Sequence, residues 1–351
     1  MDDALEKAFK SLNKKFGKMS PVGMMKDLAV PLRRVSSGSL SIDYVCGDKK
    51  TFGIPLGRTI TFFGPSSGGK TTVGLGVVAQ FQKDIPDRLP AIVDVEGTIT
   101  EEYCQSLGID TERLIFAKPE TAEAAAEITK ELVLSHQVSI VMIDSLTAMA
   151  PADSMEKSFI DNEKMASQAS LITRFLRDMT PLLGESDTTL LCISQTRANM
   201  DRANPYSPKE KMAGSYAQSF YSSIILKVSK KESVKVGDEL VGNKVVVTVT
   251  KNKVGSPGRS CTLFIKFGEG ISREDEIIDL GERYGVISRS GAYYSFNNER
   301  IANGKANLRS LLENNPDLFN KIRALVVEAS QVKNPETVNL QERDQEEPSE
   351  E

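Results

Sequence analysis

The sequence predicts an α/β fold in which a mostly parallel sheet is flanked by helices, and three observations carry this prediction. From about residue 35 to 270, short apolar runs alternate with segments of helical periodicity, as in strands joined by crossover helices. Three of these runs are each followed by a polar residue: 91–95 by Glu96, 139–143 by Asp144 and 189–194 by Gln195. A fourth run, 58–63, leads into a glycine-rich loop. Because ligands bind at the carboxyl ends of strands in such sheets, we expect a site there.

The glycine-rich loop fits the phosphate-loop pattern G-x-x-x-x-G-K-T and lies between a predicted strand and a predicted helix over 71–82. Glycines let main-chain N–H groups surround a phosphate, and the helix N-terminus adds partial positive charge. We expect Lys70 to approach the β- and γ-phosphates and Thr71 to ligate Mg²⁺. The predicted ATP-binding residues are Gly64, Pro65, Ser66, Ser67, Gly68, Gly69, Lys70, Thr71 and Thr72. The alternative is a glycine- and serine-rich surface loop without a ligand.

The polar residues at the strand ends are candidates for catalysis. Asp144 is expected to hold the Mg²⁺ shell through water, and the alternative is an aspartate that caps the next helix. Glu96, expected on the strand next to the loop, is the candidate base that orients or deprotonates the attacking water, with a surface carboxylate as the alternative. Gln195 is expected to sense the γ-phosphate and to lead into the polar segment 196–215. Glu96, Gln195 and Lys70 belong to the predicted catalytic group, whereas Asp144 is a predicted ATP- and metal-binding residue.

Composition narrows the class of protein. The chain has 351 residues and a net charge of −4, but the first 35 residues are basic and the residues from Glu342 onward are strongly acidic. Its four cysteines form no C-x-x-C pair, which argues against a zinc ribbon. With no signal peptide and no apolar run of membrane length, we expect a reduced, cytoplasmic protein without a membrane partner. The single histidine, His136, is interpreted as a polar turn residue.

The chain divides into four predicted parts: 1–34, 35–270, 271–330 and 331–351. The first holds an amphipathic helix over 2–16, whose apolar side packs either on its own core or on a neighbouring subunit. Two β-rich segments, at about 220–230 and 243–267, are expected to extend the sheet, with a hairpin turn at 235–239. The last part is an acidic tail that we expect to be disordered.

Several motifs together resemble the RecA family of DNA recombinases, of bacterial type, from residue 37 to about 330. They are Gly64-Pro65, Gly69-Lys70-Thr71-Thr72, Val93-Asp94-Val95-Glu96, Ile143-Asp144-Ser145, Lys251-Asn252-Lys253, Gly268-Glu269-Gly270-Ile271 and Gly304-Lys305-Ala306-Asn307. The resemblance implies a RecA-like P-loop ATPase core with an N-terminal helix and a small α/β C-terminal lobe. Departures at Ser66, Thr100, Ser170, Ala198 and Ala213 are typical of a divergent member, for which phage or plasmid origin is one interpretation.

The resemblance also implies a function. It implies an ATP- and Mg²⁺-dependent recombinase that forms helical filaments with copies of itself on single-stranded DNA and exchanges strands with double-stranded DNA, in DNA repair and the SOS response. Tyr103 would stack on adenine, and Lys251 and Lys253 would reach the γ-phosphate bound by the neighbouring subunit. A solvated strand edge is the alternative for the two lysines. The alternative functions are a hexameric motor or helicase with the same core, and a mediator that does not exchange strands.

DNA contacts are likewise implied by the resemblance. The segments 153–165 and 196–215 would be two DNA loops, and a solvated lid is the alternative for them. The residues expected near single-stranded DNA are Met165, Thr173, Arg177, Arg197, Asn199, Gly214 and Ser215. Arg289 and Lys305 in the C-terminal lobe would meet the incoming duplex, and the helix 2–16 would dock on the adjacent subunit.

Overall fold

The computed structural model describes residues 3–16, 22–28, 31–48, 51–149, 163–198, 210–212 and 216–332. The chain divides into two compact units, residues 1–33 and 34–351. The first unit contains helices α1 (Asp3–Phe16) and α2 (Met25–Leu28), and the Asn13 side chain bonds the main chain of Val22 in both directions at 2.7 and 2.8 Å. The helix predicted over 2–16 is therefore present as α1.

The second unit alternates strands and helices up to residue 198, as the sequence predicts. Its first strands and helices are β1 (Arg34–Val35), α3 (Leu40–Cys46), β2 (Ile54–Pro55), β3 (Thr59–Gly64), α4 (Lys70–Asp84), β4 (Leu89–Asp94), α5 (Glu101–Ser106), β5 (Ile115–Ala117), α6 (Ala122–Leu134), β6 (Val138–Asp144), α7 (Glu163–Ser186) and β7 (Thr189–Ala198). His136 has a φ of 56° directly after α6, which confirms that it is a turn residue.

The rest of the second unit is antiparallel and helical. It consists of β8 (Glu210–Met212), α8 (Ala217–Tyr221), β9 (Ile224–Val236), β10 (Glu239–Asn252), β11 (Ser260–Lys266), β12 (Gly270–Ile271), α9 (Arg273–Tyr284), β13 (Ile287–Ser290), β14 (Tyr293–Phe296), β15 (Glu299–Asn303), α10 (Lys305–Glu313) and α11 (Pro316–Val332). The predicted hairpin turn between β9 and β10 is confirmed. The predicted β-rich segments also extend the main sheet; within 243–267, the Gly- and Pro-containing stretch 253–259 separates β10 from β11.

The main sheet has the strand order β12-β11-β10-β9-β3-β7-β6-β4-β5, and β8 pairs with β7. The six strands from β9 to β5 run parallel, and β10, β11 and β12 add an antiparallel edge. This arrangement confirms the predicted α/β class with a mostly parallel sheet. It also corrects one expectation: β4, which precedes Glu96, is not the neighbour of β3, because β7 and β6 lie between them.

Helices cover both faces of the sheet. Alternate residues of β6 point to opposite faces: Ile140 and Met142 belong to the core formed with α3 and α4, whereas Val141 and Ile143 belong to the core formed with α6 and α7. Burial on both faces explains why β6 is apolar from Ile140 to Ile143, directly before Asp144. Among the described residues, no helix combines the length and the apolar character needed to span a bilayer.

The C-terminal lobe is attached to the core through a buried carboxylate. The lobe has a core of its own, formed by α9, α10, α11 and the three-stranded sheet β13-β14-β15. Glu276 of α9 accepts hydrogen bonds from the Ser39 hydroxyl (2.5 Å) and from the main-chain N–H groups of Leu40 (3.1 Å) and Ser41 (2.9 Å). Burial raises the pKa of Glu276, while these bonds lower it. The Glu276 carboxylate lies at the N-terminus of α3, where the helix dipole favours negative charge.

We expect Glu276→Ala to lower the free energy of unfolding by about 2–4 kcal/mol, because it leaves one buried hydroxyl and two N–H groups without their acceptor. Urea unfolding of the full chain measures the change. The control is Glu299→Ala, which alters an exposed glutamate of β15 in the same lobe and should leave the midpoint unchanged. Equal midpoints for Glu276→Ala and the unaltered chain would contradict the structural role.

Candidate nucleotide site

The glycine-rich loop 64–69 joins β3 to α4 and packs closely against β9. A Cβ atom built on Gly64 would lie 1.9 Å from the carbonyl oxygen of Val228, so only glycine fits at this position. Helix α4 begins at Lys70, and its N-cap residue is Gly69, which has no side chain with which to cap the first N–H groups. The loop therefore presents main-chain donors at a helix N-terminus, which suits an anionic ligand such as phosphate.

Lys70 is the first residue of α4, and its side chain reaches back to this loop. Its ammonium Nζ donates to the carbonyl oxygen of Pro65 at 2.8 Å, and the residue is only 7% exposed. Burial lowers the pKa of Lys70, whereas the negative charges of Asp144 and Glu96 raise it. A phosphate in the loop would supply a negative partner for this partly desolvated cation, so the residues present fit the predicted ligand.

Thr71 and Asp144 meet as the sequence predicts. The Thr71 hydroxyl Oγ1 donates to Asp144 Oδ2 at 2.6 Å, across the gap between α4 and the end of β6. Burial raises the pKa of Asp144 to about 6; the Thr71 hydrogen bond and Lys70 lower it, and the charges of Glu96 and Asp94 raise it. A hydroxyl and a carboxylate side by side are hard oxygen ligands, so this pair fits Mg²⁺ held directly or through water.

Glu96 lies on a tight turn at the end of β4. Its main-chain N–H and that of Val95 donate to the carbonyl oxygen of Asp144 at 3.1 and 2.8 Å, which ties the ends of β4 and β6 together. The Glu96 carboxylate oxygen Oε1 accepts from Ser145 Oγ at 2.5 Å and from Gln195 Nε2 at 3.1 Å. Although β4 and β3 are not neighbours, the structure thus brings Glu96 and Gln195 into direct contact.

Tyr103 lies in the cavity beside the loop. The Tyr103 hydroxyl and the Thr72 hydroxyl are 2.6 Å apart, and burial raises the pKa of Tyr103. The cavity has a volume of about 450 Å³, and its wall opposite Tyr103 comes from β10 and the end of β11. The sequence did not single out these lining residues, which are Asn243, Val245, Ile265, Lys266 and Phe267, although Gly268 at the cavity edge belongs to a motif that was noted. The volume is adequate for an organic ring system.

Lys251 and Lys253 are not brought to the glycine-rich loop of their own chain. The Nζ atom of Lys251 donates to the carbonyl oxygen of Ser219, and Lys253 Nζ donates to that of Phe220 at 2.6 Å. Both acceptors belong to α8, and the Phe220 side chain is 68% exposed. Burial and the charge of Lys253 lower the pKa of Lys251. The two cations therefore form one pair at the end of a short helix.

Helix α7 carries part of the predicted DNA surface. Thr173 and Arg177 line a shallow depression of about 410 Å³, together with the exposed Arg174. Arg177 pairs with Asp178 at 3.0 Å, and Arg197 is exposed on β7. The main chain of Met165 is helical, but its side chain lies outside the described part. Asn199, Gly214 and Ser215 also lie outside the described residues. The same holds for positions 333–351 of the predicted acidic tail.

The two predicted duplex contacts lie in the C-terminal lobe, and each is already engaged. The Arg289 guanidinium donates from Nε to the carbonyl oxygen of Gly291 at 3.0 Å and lies 5.5 Å from the centre of the Tyr294 ring. Lys305 pairs with the exposed Asp279 and lies 3.7 Å from the buried carboxylate of Asp275. Any phosphate bound by Lys305 has to compete with these two carboxylates.

We expect Asp144→Asn to abolish Mg²⁺-dependent nucleotide binding and yet to stabilise the ligand-free fold. Because the folded state raises the pKa of Asp144 to about 6, the unaltered chain loses stability as the pH rises through this value. At pH 8 the variant should gain about 1–3 kcal/mol in free energy of unfolding, and roughly half of this gain should disappear at pH 5. Urea unfolding in the presence of EDTA measures both values. A variant that is less stable than the unaltered chain at pH 8 would contradict the account.

Known proteins and protein families match this sequence over nearly its whole length. The family model for the RecA N-terminal domain matches residues 3–272, and that for the RecA C-terminal domain matches residues 275–331. The chain is 38% identical over 327 residues to Protein RecA of Frankia casuarinae, which covers 93% of this chain and 92% of the relative. It is 35% identical over 336 residues to Protein RecA of Desulforapulum autotrophicum, which covers 95% and 94%. The chain therefore belongs to the RecA family, and it is of the bacterial type.

Proposed function

We propose that this chain is an ATP-dependent DNA recombinase that forms helical filaments on single-stranded DNA and exchanges strands with a homologous duplex. The observation that carries the proposal is the 2.6 Å contact between Thr71 and Asp144 beside Lys70, in a chain of the RecA family. This contact supports a site for the Mg²⁺ complex of ATP. ATP and Mg²⁺ are accordingly the proposed substrate and metal.

The site supports ATP binding by several groups. Main-chain N–H groups of the glycine-rich loop and the ammonium of Lys70 would neutralise the phosphates, with the N-terminus of α4 adding partial positive charge. Thr71 and Asp144 would hold Mg²⁺, which neutralises charge on the phosphate oxygens when it is bound. Tyr103 lines the adjacent cavity, where its ring can stack on adenine.

Glu96 and Gln195 support hydrolysis. Ser145 and Gln195 both donate to the same Glu96 oxygen, Oε1, and a carboxylate has a second oxygen that can accept a proton or a hydrogen bond from water. Glu96 would orient the attacking water through this second oxygen. Gln195 lies on the strand next to β3, opposite Gly64 in register, and its amide would report the state of the γ-phosphate to the segment that follows β7.

Lys251 and Lys253 are proposed to act across the subunit interface. In the single chain their ammonium groups contact the carbonyl oxygens of Ser219 and Phe220 in α8. This helix directly follows the segment 196–215, which is the second proposed DNA loop. A change in that loop on DNA binding can therefore release the lysines toward a neighbouring γ-phosphate, which would couple hydrolysis to filament assembly on DNA.

The remaining assignments belong to the same proposal. The proposed DNA contacts are those of α7, β7 and the two loops, with Arg289 and Lys305 for the duplex. Residues 1–34 would mediate contacts between subunits, 35–270 would form the ATPase core, 271–330 would bind duplex DNA and 331–351 would form an acidic tail. A cytoplasmic location is also proposed, and the presence of four free, buried cysteine thiols supports it.

We expect Lys251→Ala to lower ATP turnover in the presence of single-stranded DNA by about 10³-fold, because it removes the cation supplied to the neighbouring subunit. Binding of a fluorescent ATP analogue to dilute, unassembled protein should remain within about twofold of the unaltered chain. Steady-state hydrolysis and strand exchange between a circular single strand and a homologous linear duplex are measured in parallel.

The matched control is Lys244→Ala on the same strand, β10, where the lysine pairs with Glu232 at 2.6 Å. This control should retain both activities. Full turnover by Lys251→Ala would remove the proposed role across subunits. Hydrolysis without any strand exchange by the unaltered chain would favour a motor or a mediator over a recombinase.

A further inference from the structure

We propose that Thr147 and Gln168 are positioning residues that hold Ser145, and through it the Glu96 carboxylate, in the arrangement needed for hydrolysis. Neither residue belongs to a sequence motif noted above. The inference rests on the proposed role of Glu96, and it adds two residues that contact neither nucleotide nor DNA in the proposed function. It also connects the nucleotide site to helix α7 through hydrogen bonds that are joined by the main chain of Thr147.

The chain of hydrogen bonds begins at Glu96. Its Oε1 atom accepts from Ser145 Oγ at 2.5 Å, and Ser145 Oγ lies 2.8 Å from Thr147 Oγ1. The amide Nε2 of Gln168 then donates to the carbonyl oxygens of Thr147 at 3.2 Å and of Met149 at 2.7 Å. The side chains of Ser145, Thr147 and Gln168 and a short stretch of main chain thus link the candidate base to the first turns of α7.

The direction of the protons in this chain follows from their number. An ionised carboxylate only accepts hydrogen bonds, so the single hydroxyl proton of Ser145 is donated to Glu96. The bond between Ser145 and Thr147 must then use the proton of Thr147, and Thr147 is the donor. A serine hydroxyl that accepts one hydrogen bond becomes a stronger donor in the next. Thr147 therefore strengthens the bond that orients Glu96.

The main chain around Thr147 is held from both sides. On the side of the sheet, the N–H of Leu146 donates to the carbonyl oxygen of Ile193 in β7 at 3.0 Å. On the side of α7, the Gln168 amide donates to two nearby carbonyl oxygens, those of Thr147 and Met149. The side chains of Leu146 and Met149 are fully buried in the core that α7 shares. Loss of the Gln168 amide would remove the hydrogen bonds from α7 to this main chain and leave the bond from Leu146 to β7 in place.

Helix α7 also carries Thr173 and Arg177, which are proposed to contact DNA. Gln168 and Arg177 are nine residues apart on one helix, a separation of about 14 Å along its axis. A displacement of α7 that accompanies DNA binding would move Gln168 with it, and Gln168 would transmit the movement to Thr147, Ser145 and Glu96. The geometry thus supplies one physical route by which DNA can adjust the base.

The test compares Thr147→Val, Thr147→Ser and Gln168→Ala in the full chain, with ATP hydrolysis measured at saturating single-stranded DNA. Thr147→Val keeps the shape but removes the donor, and Gln168→Ala removes the link to α7. We expect each to lower kcat by about three- to tenfold while KM for ATP stays within about twofold. Thr147→Ser keeps a hydroxyl and should retain kcat, which a loss of packing alone would not predict.

Two controls make the outcome specific. Gln82→Ala removes a glutamine whose Nε2 also donates to two carbonyl oxygens, those of Asp110 (2.9 Å) and Arg113 (3.1 Å), and it should leave kcat unchanged. Glu96→Gln should abolish turnover. If Glu96→Gln is inactive while Thr147→Val and Gln168→Ala keep full kcat, the positioning inference alone is overturned. Full turnover by Glu96→Gln would overturn the proposed base and this inference with it. A rise in KM at constant kcat, or an equal fall in kcat for Gln82→Ala, would also overturn the inference.

Discussion

The contact between Thr71 and Asp144 is the constraint on which the rest of the site depends. It joins the first turn of α4 to the end of β6, two strand positions away from β3 in the sheet. This distance can be spanned because α4 lies close to the sheet at Gly74, where an added Cβ would come within 3.2 Å of Met142 and 3.3 Å of Ile193. Burial of the Asp144 carboxylate is unfavourable until a cation neutralises it. Asp144 therefore lowers the stability of the ligand-free fold and at the same time provides a ligand for a metal.

The order of strands explains how one edge of the sheet collects the other candidate groups. Strand β7 lies between β3 and β6, so Gln195 ends beside the loop, and main-chain bonds from the turn after β4 to Asp144 bring Glu96 toward it. A single carboxylate oxygen then accepts from both Ser145 and Gln195. The site is therefore built from the ends of β3, β4, β6 and β7. A structural change in the segment after β6 or in the segment after β7 can reach Glu96 through its bonds to Ser145 and Gln195.

Much of this could be predicted from local sequence, and the exceptions have physical causes. The glycine-rich loop, the strand ends and the meeting of Thr71 with Asp144 follow from local patterns, because each pattern has a fixed structural context. The placement of Glu96 on the strand next to the loop was wrong, since apolar periodicity does not encode the order of parallel strands. Thr147 and Gln168 contact their neighbours through a few hydrogen bonds to hydroxyl or main-chain oxygens, and such bonds produce no periodic signal in the sequence. The contacts of Lys251 with α8 were also not predicted. They join residues about thirty positions apart through the pairing of strands, which a local pattern does not encode.

The central claim is that one subunit binds the nucleotide and another supplies the cations that trigger hydrolysis. The most direct measurement is the rate of ATP turnover per protomer over a wide range of protein concentrations, with and without a single-stranded oligonucleotide. The account predicts that the rate per protomer rises as subunits assemble and rises further when the oligonucleotide is added. A rate that is the same at every concentration and unaffected by the oligonucleotide would contradict it.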